Sequence, residues 1–567
     1  MGITEFSTLK DLFIYSTNNY QTNTAFSYVG GISYTYTEFK QKTEEFEAIL
    51  TKGGIGKGDK VIILSQNMPN WPAAYFSITA FGRVVVPILP DFSETEVKNV
   101  IEHSEAKAVI VSEKLRYKLP AGIIDNVNAV INIETLETEY NQTLITPTEQ
   151  GDASPEDLAA IIYTSGTTGN SKGVMLTHRN LCAHLHAAAI LRPGFSNDIW
   201  LSVLPLSHTL ESSLSMLLPM VSGSSVYYIE KAPTPTVLLQ ALKIVRPTTM
   251  LSVPLIMEKI YKSSILPKFE KSPVIKFIYG TTPGRKILNR VAGKKLMETF
   301  GGRIRFFGIG GAKLDPEVER FLYEAKFPYG IGYGLTESCP LLAGAIPQNV
   351  KWQSTGPAIY GIQLRINNPN PETGEGEIVA KGPNIMIGYY KNPEATKEVF
   401  TEDGWFRTKD LGIIDKTGRL YIKGRLSNMI LGPSGENIYP EEIESVINAH
   451  AMVSESIVTQ KKGKLVALVH FNPEKLKMLN DVKEEAFNTY YETKDQLTKK
   501  FEETKEETKE AMAAFNEKLE QLKRELTQYV NERVNKFSKI SYIIDCPQQF
   551  EKTATQKIKR FLYNRQK

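Results

Sequence analysis

Residues 163–173 read YTSGTTGNSKG and follow directly on the apolar run LAAII at 158–162. Three glycines, five Ser or Thr hydroxyls and one lysine share that short stretch. Glycine lets backbone NH groups approach phosphate oxygens, the hydroxyls add donors, and Lys172 supplies a charge that follows the leaving phosphates. The pattern is not a GxxxxGK[ST] loop. Counting from Gly166 puts Ser171 where the second glycine must stand, and counting from Gly169 fails likewise. A surface linker of the same composition rarely leads from a buried strand into another ordered segment. Here Val174 to Leu176 are strand-like and Thr177 is placed to cap the next helix, so the loop joins strand to strand as a phosphate cradle.

Upstream, AFSYVGGISYTY at 25–36 reads as a hairpin about Gly30 and Gly31, followed by a helix from Thr37 to Leu50. Lys60 to Leu64, the helical NWPAAYFSITAFG and Val84 to Ile88 make a strand, helix, strand unit, and a helix from Thr95 to His103 leads into Ala108 to Val111. This layout predicts a doubly wound, mostly parallel sheet, whose ligands bind at the carboxyl ends of its strands. A second α/β unit starts at Trp200 to Leu204, runs through LPLSHTLESSLSMLLPM into a helix, and continues in Val226 to Ile229. Residues 305–322, RFFGIGGAKLDPEVERFL, present strand, glycine turn and helix, and Gly310, Gly311 and Ala312 there allow close backbone approach to a flat ring. In GYGLTES at 332–338, Thr336 and Glu337 suit a magnesium ion bridging phosphate oxygens, and Tyr333 offers a face for stacking next to Gly334. The stretch 356–390 reads as β-rich.

A chain of 567 residues exceeds one typical core, so two or more domains are expected, and 41% apolar content is enough to build them. A net charge of +4 is nearly balanced at this length, and no basic block with interleaved aromatics points to nucleic acid. Cys182, Cys339 and Cys546 are too few and too scattered for a disulfide framework or a zinc site, which suits a reducing cytoplasm. MGITEFSTLKDLF lacks the basic start and apolar core of a signal peptide, and the run Leu214 to Val221 is far short of a bilayer span. The reading is cytoplasmic, with room for peripheral contact at an inner membrane.

On these motifs the chain resembles the AMP-forming adenylating enzymes, which include acyl-CoA synthetases, firefly luciferases and peptide-synthetase adenylation domains, and it looks most like a bacterial long-chain fatty acid CoA ligase. The resemblance implies an α/β fold: a large N-terminal domain, 1–425, of two doubly wound sheets plus a β-rich subdomain, and a small mobile C-terminal α+β domain, 426–567. It implies ATP, magnesium and coenzyme A, with a fatty acid as substrate. Phosphate contacts then fall to Thr164, Ser165, Gly166, Thr167, Thr168, Gly169 and Lys172, and the metal to Glu337 with Thr164 or Thr336. Adenine falls to Gly310, Gly311, Ala312, Tyr333 and Gly334. In GWFRTKDLGIID the resemblance places ribose at Asp410, and in GRLSNMILGPSGENIYPEEIE it makes Arg425 a second ribose or phosphate contact and Ser427 the hinge. In EKTATQKIKR it makes Lys557 the catalytic lysine, and His208 becomes a gate to the acyl pocket, although a lone histidine beside an apolar helix is more often a capping or packed side chain. Three positions depart from the family pattern: Lys409 and Gln556 replace glycine, and Ser427 stands where aspartate or lysine is usual.

A helical insertion at about 474–536 is not accounted for by the resemblance. Phe501, Phe515, Leu522 and Tyr529 share one heptad register, with Met512, Leu519 and Leu526 four residues after positions in it. One helix from Asp481 to Val534 would be about 80 Å long at ~1.5 Å per residue, so a hairpin is an equal alternative. Such a stripe serves either the protein's own core or a partner, a homo-oligomer or a membrane surface. Two functional alternatives share the same motifs: transfer to a carrier protein, or release of the adenylate alone. A third, of another class, is a scaffold working through these helices.

Overall fold

The computed structural model describes residues 4–145, 149–164, 171–231, 234–431, 437–461, 463–478, 506–553 and 558–563. They form two compact units: Met1–Thr408 with Ile413–Ile422, and Lys409–Gly412 with Lys423–Lys567.

The first unit contains two eight-stranded sheets. One has the strand order Gly388–Tyr389, Lys172–Thr177, Leu158–Thr164, Val84–Ile88, Lys60–Leu64, Ala108–Val111, Ala129–Asn132, Thr138–Tyr140. Its middle strands are parallel, and Val84–Ile88 and Ala108–Val111 are buried along their whole length. Both faces are covered, which is why these stretches read as unbroken apolar runs rather than alternating ones. The other sheet has the order Leu341–Ala345, Tyr329–Gly334, Phe306–Ile309, Thr249–Ser252, Ile199–Ser202, Ser225–Tyr228, Thr24–Tyr28, Ser33–Thr35. Its order reverses between Ile199–Ser202 and Thr249–Ser252, because the chain passes from Ser225–Tyr228 back over Ile199–Ser202 to reach Thr249. A crevice outside the carboxyl ends at such a reversal is where ligands bind in open α/β sheets. Asn67, just past the end of Lys60–Leu64, donates to Leu204 O at 2.7 Å and to Ser202 Oγ at 3.2 Å. The carboxyl ends of the two sheets therefore meet. A five-stranded sheet of Gly356–Pro357, Arg419–Arg425, Phe406–Ile414, Gly376–Lys381 and Gln363–Asn367 supplies the β-rich part, and the division between the units runs through its strands Arg419–Arg425 and Phe406–Ile414.

The second unit is α+β. Val453–Lys461 and Lys464–Phe471 pair antiparallel, and Tyr542–Asp545 adds to Lys464–Phe471 in parallel. The chain between those last two strands holds the helical insertion, of which Pro473–Met478 and Glu506–Asn531 are described. Phe515, Leu519, Leu522, Leu526 and Val530 form one buried cluster with Ile443, Val458, Val469 and Ile543. Over 515–530 the apolar stripe therefore builds the unit's own core. Phe501 and the choice between one long helix and a hairpin lie outside the described residues. Among the described residues no helix is long and apolar enough to cross a membrane.

Candidate active site

The strands on either side of the cradle stretch pair with one another, as the strand-to-strand reading expects. Leu158–Thr164 and Lys172–Thr177 are antiparallel with Thr164 opposite Lys172, and Thr177 caps helix His178–Leu191 in a capping box with Asn180. Ser165, Gly166, Thr167, Thr168 and Gly169 lie outside the described residues. Gly173 has no room for a side chain, because a Cβ there would stand 2.8 Å from Ile161 Cγ2. Beside the hairpin, Tyr163 OH and His103 Nδ1 are 2.7 Å apart. Burial pushes the Tyr163 phenol up and the His103 imidazole down, so both stay neutral at physiological pH.

Strand Gly388–Tyr389 pairs with the cradle's second strand, Tyr389 opposite Val174. That pairing sets Tyr389 between two of the expected site residues. Its ring lies 5.0 Å from Lys172 Nζ, and its hydroxyl donates to Glu337 Oε1 at 2.8 Å. Glu337 reaches this point from the other sheet, in a single helical turn, Thr336–Ser338, after strand Tyr329–Gly334. Its carbonyl also accepts from Met386 NH at 2.8 Å. Lys172 and Glu337, 165 positions apart in sequence, thus share one tyrosine that the sequence reading passed over. No local signal marks Tyr389, because the strand pairing alone places it. Nearby, Gly334 is obligatory: a Cβ would fall 1.7 Å from Pro340 O.

At the other sheet's crevice, strand Phe306–Ile309 ends in Gly310 and Gly311, the latter with φ +87°. A Cβ on Gly310 would meet nothing nearer than Gly332 O at 3.5 Å, and one on Gly311 nothing nearer than Val253 at 3.7 Å. A side chain at either position would meet ordinary van der Waals contacts and no clash, with Leu210 at 3.8 Å from the Gly310 position. Tyr333 stands partly buried on the adjoining strand. His208 caps the short helix after strand Ile199–Ser202, its Nδ1 accepting from Leu210 NH at 3.2 Å, which leaves the ring proton on Nε2. The capping hydrogen bond weighed for this histidine is therefore present.

Glu211, one turn further, is fully buried. Its Oε1 accepts from Ser202 Oγ at 2.5 Å, and burial raises its carboxyl to about 7. It immediately precedes a π-helical stretch, Ser212–Leu217, a feature common at functional sites. The local signal for Glu211 is an acid inside the apolar run at 204–220. Cys339 is buried with its thiol pushed well above the usual range by desolvation, so it has none of the setting of a reactive cysteine.

In the second unit Asp410 is nearly buried and bound by Arg425, Nε to Oδ1 at 2.7 Å. The two residues assigned to ribose are thus already joined to one another. Lys409, where the family pattern has glycine, takes a left-handed φ of +60°. Ser427 sits exposed in the turn after Arg425. Lys557 lies outside the described residues. On either side of it Lys552 and Ile558 form an antiparallel bridge, and Arg560 is clamped through Nη1 on buried Glu444 Oε1 at 2.7 Å.

The donor set suits magnesium. Glu337 supplies a carboxylate and the adjacent Thr336 a hydroxyl, the oxygen ligands a hard cation takes, while among the described residues no group of three or more His, Cys, Asp or Glu converges on a metal position.

The sequence matches the family described as AMP-binding enzyme over residues 14–390. It is 30% identical over 529 residues to the peroxisomal long chain acyl-CoA synthetase 7 of Arabidopsis thaliana, covering 83% of this chain and 74% of that protein. It is also 30% identical over 456 residues to the long-chain-fatty-acid–CoA ligase FadD15 of Mycobacterium bovis, covering 74% of each. Among solved structures it is similar in fold to ATP-bound MatB from Rhodopseudomonas palustris, with TM-score 0.73, 22% identity and 98% of each chain covered. The anthranilate CoA ligase AuaEII, solved with anthranoyl-AMP, matches at TM-score 0.74 with 18% identity, over 99% of this chain and 97% of that one.

Proposed function

The chain belongs to the AMP-binding enzyme family and is an ATP-dependent, adenylate-forming ligase of the acyl-CoA synthetase superfamily, and from that premise we propose that it activates a medium- to long-chain fatty acid and transfers the acyl group to coenzyme A. The observation that carries the reading is the meeting of Lys172 and Glu337 on Tyr389 where the two sheets adjoin. The long-chain synthetases among its relatives support the choice of acid.

A carboxylate oxygen of the acid attacks the α-phosphorus of ATP, the bond to pyrophosphate breaks, and an acyl-adenylate forms. The thiol of coenzyme A then attacks the acyl carbon, AMP leaves with the bonding electrons, and the thiol proton passes to solvent. No enzyme nucleophile is needed, so the chain's residues position and stabilise. Magnesium, when bound, neutralises charge on the phosphate oxygens, and Glu337 with Thr336 or Thr164 would hold it. Lys172 and the loop Thr164 to Gly169 hold the phosphates that leave. Gly310, Gly311, Ala312, Tyr333 and Gly334 take the adenine, and Asp410 and Arg425 the ribose. Lys557 bridges the α-phosphate and the carboxylate in the first step only. His208 and Leu210 border the acyl entry beside the adenine turn. The C-terminal domain, 426–567, turns about Ser427 between the two steps.

Pyrophosphate exchange into ATP, run over acids from acetate to oleate and aryl acids and repeated with coenzyme A, tests this. Exchange with long acids and thioester on adding coenzyme A are expected. Exchange confined to aryl or short acids would overturn the substrate, and exchange without thioester would move the acceptor to a carrier protein or to none.

A further inference from the structure

Helix Pro273–Gly280 and the adjoining helix Thr282–Thr299 turn an apolar face outward. Val274, Phe277 and Ile278 line one side of the first helix, and Ile287 and Val291 lie one turn apart on the second. Their exposures run from 41% for Ile278 to 77% for Phe277, well beyond the scattered apolar residues of an ordinary surface.

The face is fixed from behind. Tyr279 stacks on Phe269 at 4.4 Å, Arg285 grips Glu324 with Nε and Nη2, and Asn289 donates to the same carboxylate at 2.8 Å. Gly293 lets the second helix close onto Ala325, which a Cβ would meet at 2.6 Å. With these residues turned inward, the helices cannot roll to bury Phe277 or Val291.

Around the apolar tips stand exposed Lys276, Lys286, Arg290, Lys294 and Lys295. Residues 266–299 carry eight Lys or Arg against two Glu, in a chain whose net charge is only +4. An apolar stripe flanked by cations on two exposed helices is the pattern of an interfacial element. We propose that this helical pair docks the protein on an anionic lipid bilayer, with Phe277, Val274, Ile287 and Val291 entering the headgroup boundary and the lysines and arginine facing lipid phosphates. A protein groove would accept the apolar stripe, but the predominantly positive charge around it is complementary to a uniformly negative surface. The inference rests on this surface and not on the identity of the acid.

The test is co-sedimentation of the full chain with vesicles of phosphatidylcholine alone and of phosphatidylcholine with phosphatidylglycerol, at low and high salt. Binding to the phosphatidylglycerol vesicles only, weakened severalfold by salt, is expected. Phe277→Asp should cut it at least tenfold, and Lys294→Glu with Lys295→Glu, which leaves the apolar stripe intact, should do likewise. Unchanged melting temperature and unchanged pyrophosphate exchange with a soluble acid would show that both variants fold and react. Equal binding to both vesicle types, no binding, or variants that bind as the parent does would overturn the proposal. So would a loss of self-association in Phe277→Asp without any vesicle binding, which would make the face a contact between copies.

Discussion

Tyr389 donates its hydroxyl proton to Glu337 Oε1 at 2.8 Å, across 52 positions of sequence and between two different sheets. The bond orients a carboxylate proposed to hold magnesium, and removing such an orienting partner typically costs about 10-fold or more in metal affinity or activity. Tyr389→Phe is therefore expected to lower adenylate formation by about 10-fold and to raise the magnesium concentration for half-maximal rate. Glu337→Gln should lower the rate by ~100-fold or more, the scale of a lost transition-state electrostatic contact. Magnesium titrations of pyrophosphate exchange check both. A Tyr389→Phe enzyme with an unaltered magnesium requirement would detach the tyrosine from the metal.

Lys557 is proposed to act only while the adenylate forms. Lys557→Ala should abolish pyrophosphate exchange yet leave coenzyme A attack on a supplied acyl-adenylate within a few-fold of the parent. Rapid-quench measurement of each half-reaction separates them. Equal losses in both would sink the two-step division of labour.

Glu211 gives a pH dependence with a definite sign. Its carboxyl is raised to about 7, first by burial, against the lowering effect of the Ser202 hydrogen bond. A raised carboxyl contributes stability that is complete below the ordinary carboxylate range and is lost as pH rises through about 7. At 1.36 kcal/mol per pKa unit this amounts to about 3 kcal/mol between pH ~4.5 and ~8. Glu211→Gln, which cannot ionise, should flatten that part of the melting-temperature profile. Parallel profiles for the two proteins would contradict it.

Lys409 carries a left-handed φ of +60° at the first residue of the second unit. The left-handed region costs a non-glycine residue about 1–2 kcal/mol, and glycine returns part of that through its larger unfolded-state entropy, about 0.5–1 kcal/mol. Lys409→Gly should stabilise the protein by about 0.5 kcal/mol in denaturant titration. A loss of stability would mean that the lysine side chain makes a compensating contact.

The features legible in the chain are those written in neighbouring residues. Unbroken apolar runs such as Val84–Ile88 announce strands buried on both faces, because covering helices leave no polar side to alternate with. The Gly, Ser and Thr cluster after Thr164 is the sequence basis of the proposed phosphate loop, because that chemistry would lie in backbone NH groups and hydroxyls a few positions apart, and the strands that flank it pair as its neighbours imply. The heptad stripe at 515–530 announced an amphipathic helix, but periodicity describes a face and not what covers it. The fold assigned it to the second unit's own core. The unannounced features are contacts between distant strands. Tyr389 stands between Lys172 and Glu337 because one strand pairs with the cradle and another ends beside it, and Glu211 reaches Ser202 because the chain doubles back past a strand end. Local propensity acts over a turn or a strand, whereas such juxtapositions depend on which strands become neighbours, a choice made by the packing of the whole sheet.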